Sequence, residues 1–258
     1  MAGMKHGTPA LKQPACYVIS LRPVGGHDAM RRAAAAHGMR VLALSPWRIE
    51  ARDDDATRDA LSAALAADVV LFTSPAAARA AAALQPLRDR PGQPWVAVGA
   101  GTAAALRRAG VRGVAAPSRM DSEGLLALPA LQRLDGRSVG MVTAPGGRGL
   151  IAPALAARGA RVLRAEVYAR VPVPPSPAAL ARLRALDRPA CLALSSGEAL
   201  QRMLQTLPGD LLDRLRQARV LAASQRLADL AREAGFVDVR VATDARPASL
   251  LAAAMPRG

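Results

Sequence analysis

The chain has 258 residues, 51% of them hydrophobic and 21% charged, with a formal charge of +15. At roughly 150 residues per domain this makes one large or two ordinary domains with true cores, which excludes a stapled mini-protein and a disordered segment. No apolar run approaches the roughly 20 uncharged residues of a membrane span. The opening MAGMKHGTPALKQPA has neither the apolar core nor the cleavage site of an export signal, so residues 1–15 are expected to be a frayed tail and the protein cytoplasmic.

Two cysteines, Cys16 and Cys191, stand in the strand-like runs CYVIS and CLALSS. They offer neither a disulfide framework nor a CxxC motif, and His6, His27 and His37 lie far from both, so no metal site is expected. Of the 35 basic residues only Lys5 and Lys12 are lysine; the rest are arginine. Such a charge suits an acidic partner. The aromatics Tyr17, Trp47, Phe72, Trp95, Tyr168 and Phe236 are too few and scattered to stack bases, and the arginines lie along helix faces. A small polyanion therefore fits better than nucleic acid.

Along the chain, short apolar runs alternate with Ala/Leu/Arg segments of helical period. YVISLRP precedes DAMRRAAAAHG, DVVLFTS precedes AAARAAAAL, WVAVG precedes TAAALRRAG, and SVGMVTA precedes GLIAPALAARG. Strand followed by helix, repeated, predicts α/β architecture with parallel sheets covered on both faces. Gly38, Gly110, Gly159 and Gly235 mark helix ends of the left-handed kind. Asp53-Asp54-Asp55 precedes an Ala-rich helix, where acidic residues complement the dipole.

The chain is also written twice. HGMRVLAL (37–44) returns as RGARVLRA (158–165), LFTSPAAA (71–78) as ALSSGEAL (193–200), AVGAGTAAALRRAG (97–110) as AASQRLADLAREAG (222–235), and GLL (124–126) as SLL (249–251). Four blocks in one order at nearly constant spacing indicate a duplicated unit. Each copy holds a longer extended run, VLALSPWRI (41–49) and VLRAEVYARVPV (162–173), the best candidates for linkers. If both cross between lobes, the first segment joins the last part of the chain in one lobe, the middle forms the other, and substrate binds between them.

At the ends of the expected strands stand Thr73, Ser74, Gly99 to Thr102, Ser122, Thr143, Ser195, Ser196 and Ser224. Each hydroxyl is either a helix cap or part of a cleft that offers amides and positive helix ends to carboxylates or phosphates. Gly99, Gly101 and Ala104, with Asp121 further on, form a loose dinucleotide fingerprint, while TAPGGRG (143–149) lacks the lysine of a phosphate loop. No Ser–His–Asp or Cys–His arrangement is apparent.

These residues resemble the uroporphyrinogen-III synthase family from about Tyr17 to Leu251. The likeness rests on Arg22-Pro23, FTSP (72–75), VGxxTA (98–103), DSEGLL (121–126), Gly147-Arg148, Val167-Tyr168, Ser195-Ser196 and the terminal SLL. The second G-x-x-T-A turn reads Ser224-Gln225-Arg226-Leu227-Ala228, so the family threonine is a leucine here. The resemblance implies two flavodoxin-like α/β lobes joined by two extended linkers: a discontinuous first lobe (16–44 plus 173–258), a second lobe (50–165), and linkers at 45–49 and 166–172. It further implies cyclisation of hydroxymethylbilane, a linear tetrapyrrole polycarboxylate, to uroporphyrinogen III with inversion of the last ring and loss of water. No cofactor is expected, and the protein is expected to act as a monomer. On this reading Tyr168 is the general acid. Arg22, Thr73, Ser74, Gly99, Thr102, Ser122, Arg148, Ser195, Ser196 and Ser224 meet the substrate. The competing expectations are a non-catalytic two-lobed anion-binding module and a dinucleotide-dependent oxidoreductase.

Overall fold

The structure, a computed structural model, describes residues 16–118, 122–146 and 149–255. The expected tail, residues 1–15, lies outside the described residues. The chain divides into two compact units: residues up to Arg48 together with those from Pro172 onward form one, and Ile49–Val171 the other.

The first stretch gives β1 (Tyr17–Ser20), α1 (Asp28–Ala35), β2 (Arg40–Ala43) and β3 (Trp47–Ala51). Next come α2 (Asp55–Leu65), β4 (Val69–Phe72), α3 (Pro75–Leu84), β5 (Trp95–Ala97), α4 (Ala100–Arg108), β6 (Val114–Ala115) and α5 (Ser122–Leu126). A single 3₁₀ turn at Pro129–Leu131 leads to β7 (Ser138–Thr143), α6 (Ile151–Ala156), β8 (Arg161–Glu166) and β9 (Tyr168–Pro172). The chain ends with α7 (Pro177–Arg184), β10 (Ala190–Leu194), α8 (Gly197–Thr206), α9 (Gly209–Arg216), β11 (Arg219–Ala222), α10 (Gln225–Glu233), β12 (Val239–Val241) and α11 (Pro247–Ala252).

Local chemistry explains many of these boundaries. Ser74, Ser176 and Ser196 accept the amides of Ala77, Ala179 and Ala199 at the starts of α3, α7 and α8, and Pro75 and Pro177 open two of those helices. Asp54, the middle residue of the acidic triplet, caps α2 through the Thr57 amide at 2.8 Å, while Asp53 pairs with Arg58 and Asp55 is the first residue of the helix. Gly38, Gly110, Gly159 and Gly235 all have positive φ, as helix C-termini that reverse the chain demand.

Each unit is built on a five-stranded parallel sheet, ordered β12-β11-β10-β1-β2 in one and β6-β5-β4-β7-β8 in the other; β3 and β9 pair in a separate two-stranded sheet. The expected α/β architecture with parallel sheets flanked by helices is therefore the observed one. Burial on both faces explains the unbroken apolar strands: Val70 and Phe72 of β4 enter one core, where Phe72 stacks on Trp95, while Val69 and Leu71 enter another with Leu125 and Met141.

The two sheets repeat one another in register as well as in order. Tyr17 pairs with Arg40 as Ser138 pairs with Arg161, and Val18 with Cys191 as Val139 with Val69. Leu192 pairs with Val220 as Val70 with Trp95, and Val220 with Val239 as Trp95 with Val114. The duplication read from the sequence is thus a duplication of β1–β6 as β7–β12. Each copy places its first two strands in one sheet and its last three in the other.

In the second unit α2 presses closely on β7. A Cβ at Gly140 would stand 1.8 Å from the Ala64 carbonyl oxygen, a backbone atom that cannot turn aside. Gly140→Ala is expected to destabilise the protein by about 3 kcal/mol, the upper range for overpacking. Urea unfolding measures this; an unchanged midpoint would contradict the contact.

Candidate active site

Parallel strands that feed helices collect helix N-termini, with their free amides, at the C-terminal edge of each sheet. In the second unit β4 ends at Phe72, Thr73 follows, and Ser74 caps α3. The Thr73 hydroxyl donates to Thr143 Oγ1 at 2.7 Å, at the end of the neighbouring β7. Gly99 begins α4 without a side-chain cap, and a Cβ on Gly101 would lie 3.7 Å from Pro75 Cγ, so the first turns of α3 and α4 are side by side. Thr102, in the first turn of α4, is only 2% exposed, which turns its hydroxyl into the protein.

Tyr168 opens β9. Its ring lies in the core that holds Phe72 and Trp95, and its phenol oxygen is 3.0 Å from Ser74 Oγ. Ser74 Oγ simultaneously accepts the Ala77 amide at 3.0 Å. One hydroxyl thus joins the cap of α3 to the phenol. Thr73, Ser74, Gly99, Thr102 and Tyr168 are brought to one edge of one unit. Ser122 begins α5, whereas Asp121, Gly147 and Arg148 lie outside the described residues.

In the first unit Ser195 is exposed at the end of β10, Ser196 caps α8, and Ser224 precedes α10 with its hydroxyl making no cap. Leu227, the residue in place of the family threonine, is buried in α10. Arg22 follows β1. Its Nε is buried with no hydrogen-bond partner among the described residues, and burial pushes its pKa down. A desolvated cationic donor of this kind gains from any anion that reaches it.

Beside it is a group that sequence reasoning passed over. His27 is 2% exposed, with Nδ1 3.0 Å from Ser20 Oγ and Nε2 2.9 Å from Ser45 Oγ. One ring nitrogen donates and the other accepts, so the neutral ring ties the end of β1 to the turn that enters β3. No spacing announced it, because its partners belong to separate elements. Among the described residues there is no group of three or more His, Cys, Asp or Glu that could hold a metal ion.

A family model described as uroporphyrinogen-III synthase HemD matches residues 28–252. The chain belongs to the uroporphyrinogen-III synthase family. It is similar to the uroporphyrinogen-III synthases of Escherichia coli K12, at 36% identity, and of Salmonella typhimurium LT2, at 37%, each over 161 residues. Those matches cover 62% of this chain and 65% of each relative's length. The fold resembles that of a mutant uroporphyrinogen III synthase from the extremely thermophilic bacterium Thermus thermophilus (TM-score 0.59, 23% identity, 92% of this chain and 96% of that one). It equally resembles the Helicobacter pylori 26695 uroporphyrinogen-III synthetase (TM-score 0.59, 14% identity, 93% and 98%). None of these matches supports the anion-module or dinucleotide readings.

Burial, with the positive charges of Arg31 and Arg22, lowers the His27 pKa from 6.5 to about 4, against the opposing pull of Asp28. The unfolded chain therefore binds a proton that the folded chain refuses between those pH values. The stability held above pH 6.5 is lost as pH falls towards 4, by about 2 to 3 kcal/mol. His27→Gln, which keeps a donor and an acceptor but does not titrate, is expected to flatten this part of the stability profile in urea titrations at successive pH values.

Proposed function

We propose that the protein cyclises hydroxymethylbilane to uroporphyrinogen III, inverting the last pyrrole ring and releasing water. The family match across residues 28–252 carries this reading. The physical setting supports it. The substrate is a polycarboxylate, the chain has a charge of +15, and each sheet presents helix N-termini at its C-terminal edge.

On this reading Ser74, Ser196, Gly99 and the exposed Ser195 and Ser224 offer hydroxyls or amides to the acetate and propionate arms. Arg22 supplies a partly desolvated cation. Thr73 and Thr102, whose hydroxyls are engaged or buried and whose amides donate to the Val142 and Gly99 carbonyls, act by holding the turns. Ser122 and Arg148 are retained as proposed contacts from their positions in the family motifs. Departure of the terminal hydroxyl leaves an electrophilic azafulvene. The substituted carbon of the last pyrrole attacks it to give a spiro intermediate, which fragments and recloses. The linear substrate closes unaided to the type I isomer, so the protein's main work is to hold one conformation and decide which carbon attacks. Tyr168 donates the proton to the departing hydroxyl, and Ser74 orients the phenol.

The test is to generate hydroxymethylbilane in situ, add the protein, oxidise the products and separate porphyrin isomers I and III. A shift from type I to type III is expected; type I alone from folded protein would overturn the reading. Tyr168→Phe keeps the packed ring and removes the donor. It is expected to lower kcat about 100-fold with little change in melting temperature. Undiminished turnover would remove the acid role while leaving the isomerising function intact.

A further inference from the structure

Cys16 and Cys191 are separated by 175 residues in sequence, yet their sulfur atoms are 3.8 Å apart. Cys16 immediately precedes β1 and Cys191 is the second residue of β10, and these two strands are hydrogen-bonded neighbours. Cys191 is buried in a core with Met30 and Ala34 of α1 and Leu250 and Leu251 of α11, and Cys16 packs half-buried at its margin. One thiol is carried by the chain segment that ends at Arg48, the other by the segment that begins at Pro172, the two pieces of the first unit.

We propose that Cys16 and Cys191 form a thiol–disulfide exchange site for low-molecular-weight disulfides, through which the two segments of the first unit become covalently joined. The geometry gives the thiols different roles. Cys16 is the more accessible; its own S–H donates to the Tyr17 carbonyl at 3.3 Å, which leaves the Cys191 S–H to donate to the Cys16 sulfur. That bond, with the positive charge of Arg219, in register beside Cys191, brings the Cys16 thiol down to about 7. The same contact and burial push Cys191 up. Asp238, bound to Arg219 at 2.6 Å, is the acidic group facing the pair and opposes ionisation of Cys191. Cys16 is thus the attacking thiol and Cys191 the resolving one.

With oxidised glutathione the chemistry balances in two displacements. The Cys16 thiolate attacks one sulfur, forming a mixed disulfide and releasing one glutathione thiolate. Cys191 loses its proton to solvent and attacks the Cys16 sulfur, which forms the protein disulfide and expels the second glutathione. Two protein thiols are oxidised, and one glutathione disulfide is reduced to two thiols. The sulfurs must close from 3.8 Å to about 2.05 Å. The peptide after Cys16 is held on both sides, by the Arg40 amide at 3.3 Å and by the Pro189 carbonyl at 3.0 Å, so rotation of the two cysteine side chains supplies that movement.

The test uses reduced full-length protein exposed to oxidised glutathione and followed by intact-mass and non-reducing peptide analysis. Wild type is expected to lose two hydrogens and yield a Cys16–Cys191 linked peptide. Cys191→Ser is expected to stop at one glutathione on Cys16, and Cys16→Ser to remain unmodified. Alkylation of Cys16 in Cys191→Ala, which has no donor at that position, should need a higher pH than in wild type. Wild type that keeps both thiols, or that accumulates a stable adduct without the link, would overturn the proposal. Modification of Cys191 in Cys16→Ser as fast as that of Cys16 in Cys191→Ser would overturn the assignment of roles.

Discussion

Neither sheet is completed by the repeat that begins it. β1 and β2 stop at an edge whose partner is β10, and β4 to β6 stop at an edge whose partner is β7. An open parallel edge leaves a row of unsatisfied amides and carbonyls beside half-covered apolar side chains, so each repeat requires the other's strands. The two sheets are unequal in chain economy. The Ile49–Val171 unit is one continuous stretch, whereas the first unit closes only when β10 meets β1 across that whole stretch. Closing so long a loop costs entropy that the core of the finished unit offsets.

The same exchange decides what was legible in the sequence. Alternating strand and helix patterns, glycine stops and the serine and aspartate caps are local chemistry, and they predicted the α/β architecture because local preference and final structure agree. The duplication was legible too, since it is a comparison of the chain with itself. What escaped was pairing across the exchange. The two cysteines read as unrelated residues of strand-like runs and become neighbours only because β1 pairs with β10. At the site, residue type identified which hydroxyls stand at strand ends but not what each one does. Ser74 and Ser196 cap, Ser224 does not, and Thr102 turns inward. Those differences depend on rotamer and burial, which no spacing encodes.

The strong positive charge also becomes specific once the arginines are followed individually. Arg158 donates to the carbonyls of Leu126 and Leu131, Arg214 to that of Leu186, Arg216 to that of Ala234, and Arg240 to those of Ala253 and Met255. These side chains satisfy helix ends and loops. Others form exposed pairs, as Arg184 does with Asp210 and Arg232 with Asp229, which contribute little to stability. Arg22 differs from both groups. It is largely withdrawn from water beside a histidine that stays neutral, and its Nε, like that of Arg202, has no acceptor among the described residues. A cation in that state suits the anion-binding role proposed for Arg22, because an anion there would supply the missing acceptor. Net charge alone carries no such preference for one place on the surface.

A corresponding concentration of roles occurs at Ser74. Its oxygen accepts the Ala77 amide in the first turn of α3, which fixes the helix start, and the remaining hydrogen-bonding capacity points to Tyr168. Since the amide can only donate, the hydroxyl hydrogen is free either to bond the phenol oxygen or to rotate away when the phenol donates instead. On the proposed acid role, the Ser74 hydroxyl can follow either direction of this bond, donating to the Tyr168 oxygen or accepting from it, without disturbing the cap. An alanine in this position would leave both the Ala77 amide and the Tyr168 phenol without the partner that one serine oxygen supplies to the two of them.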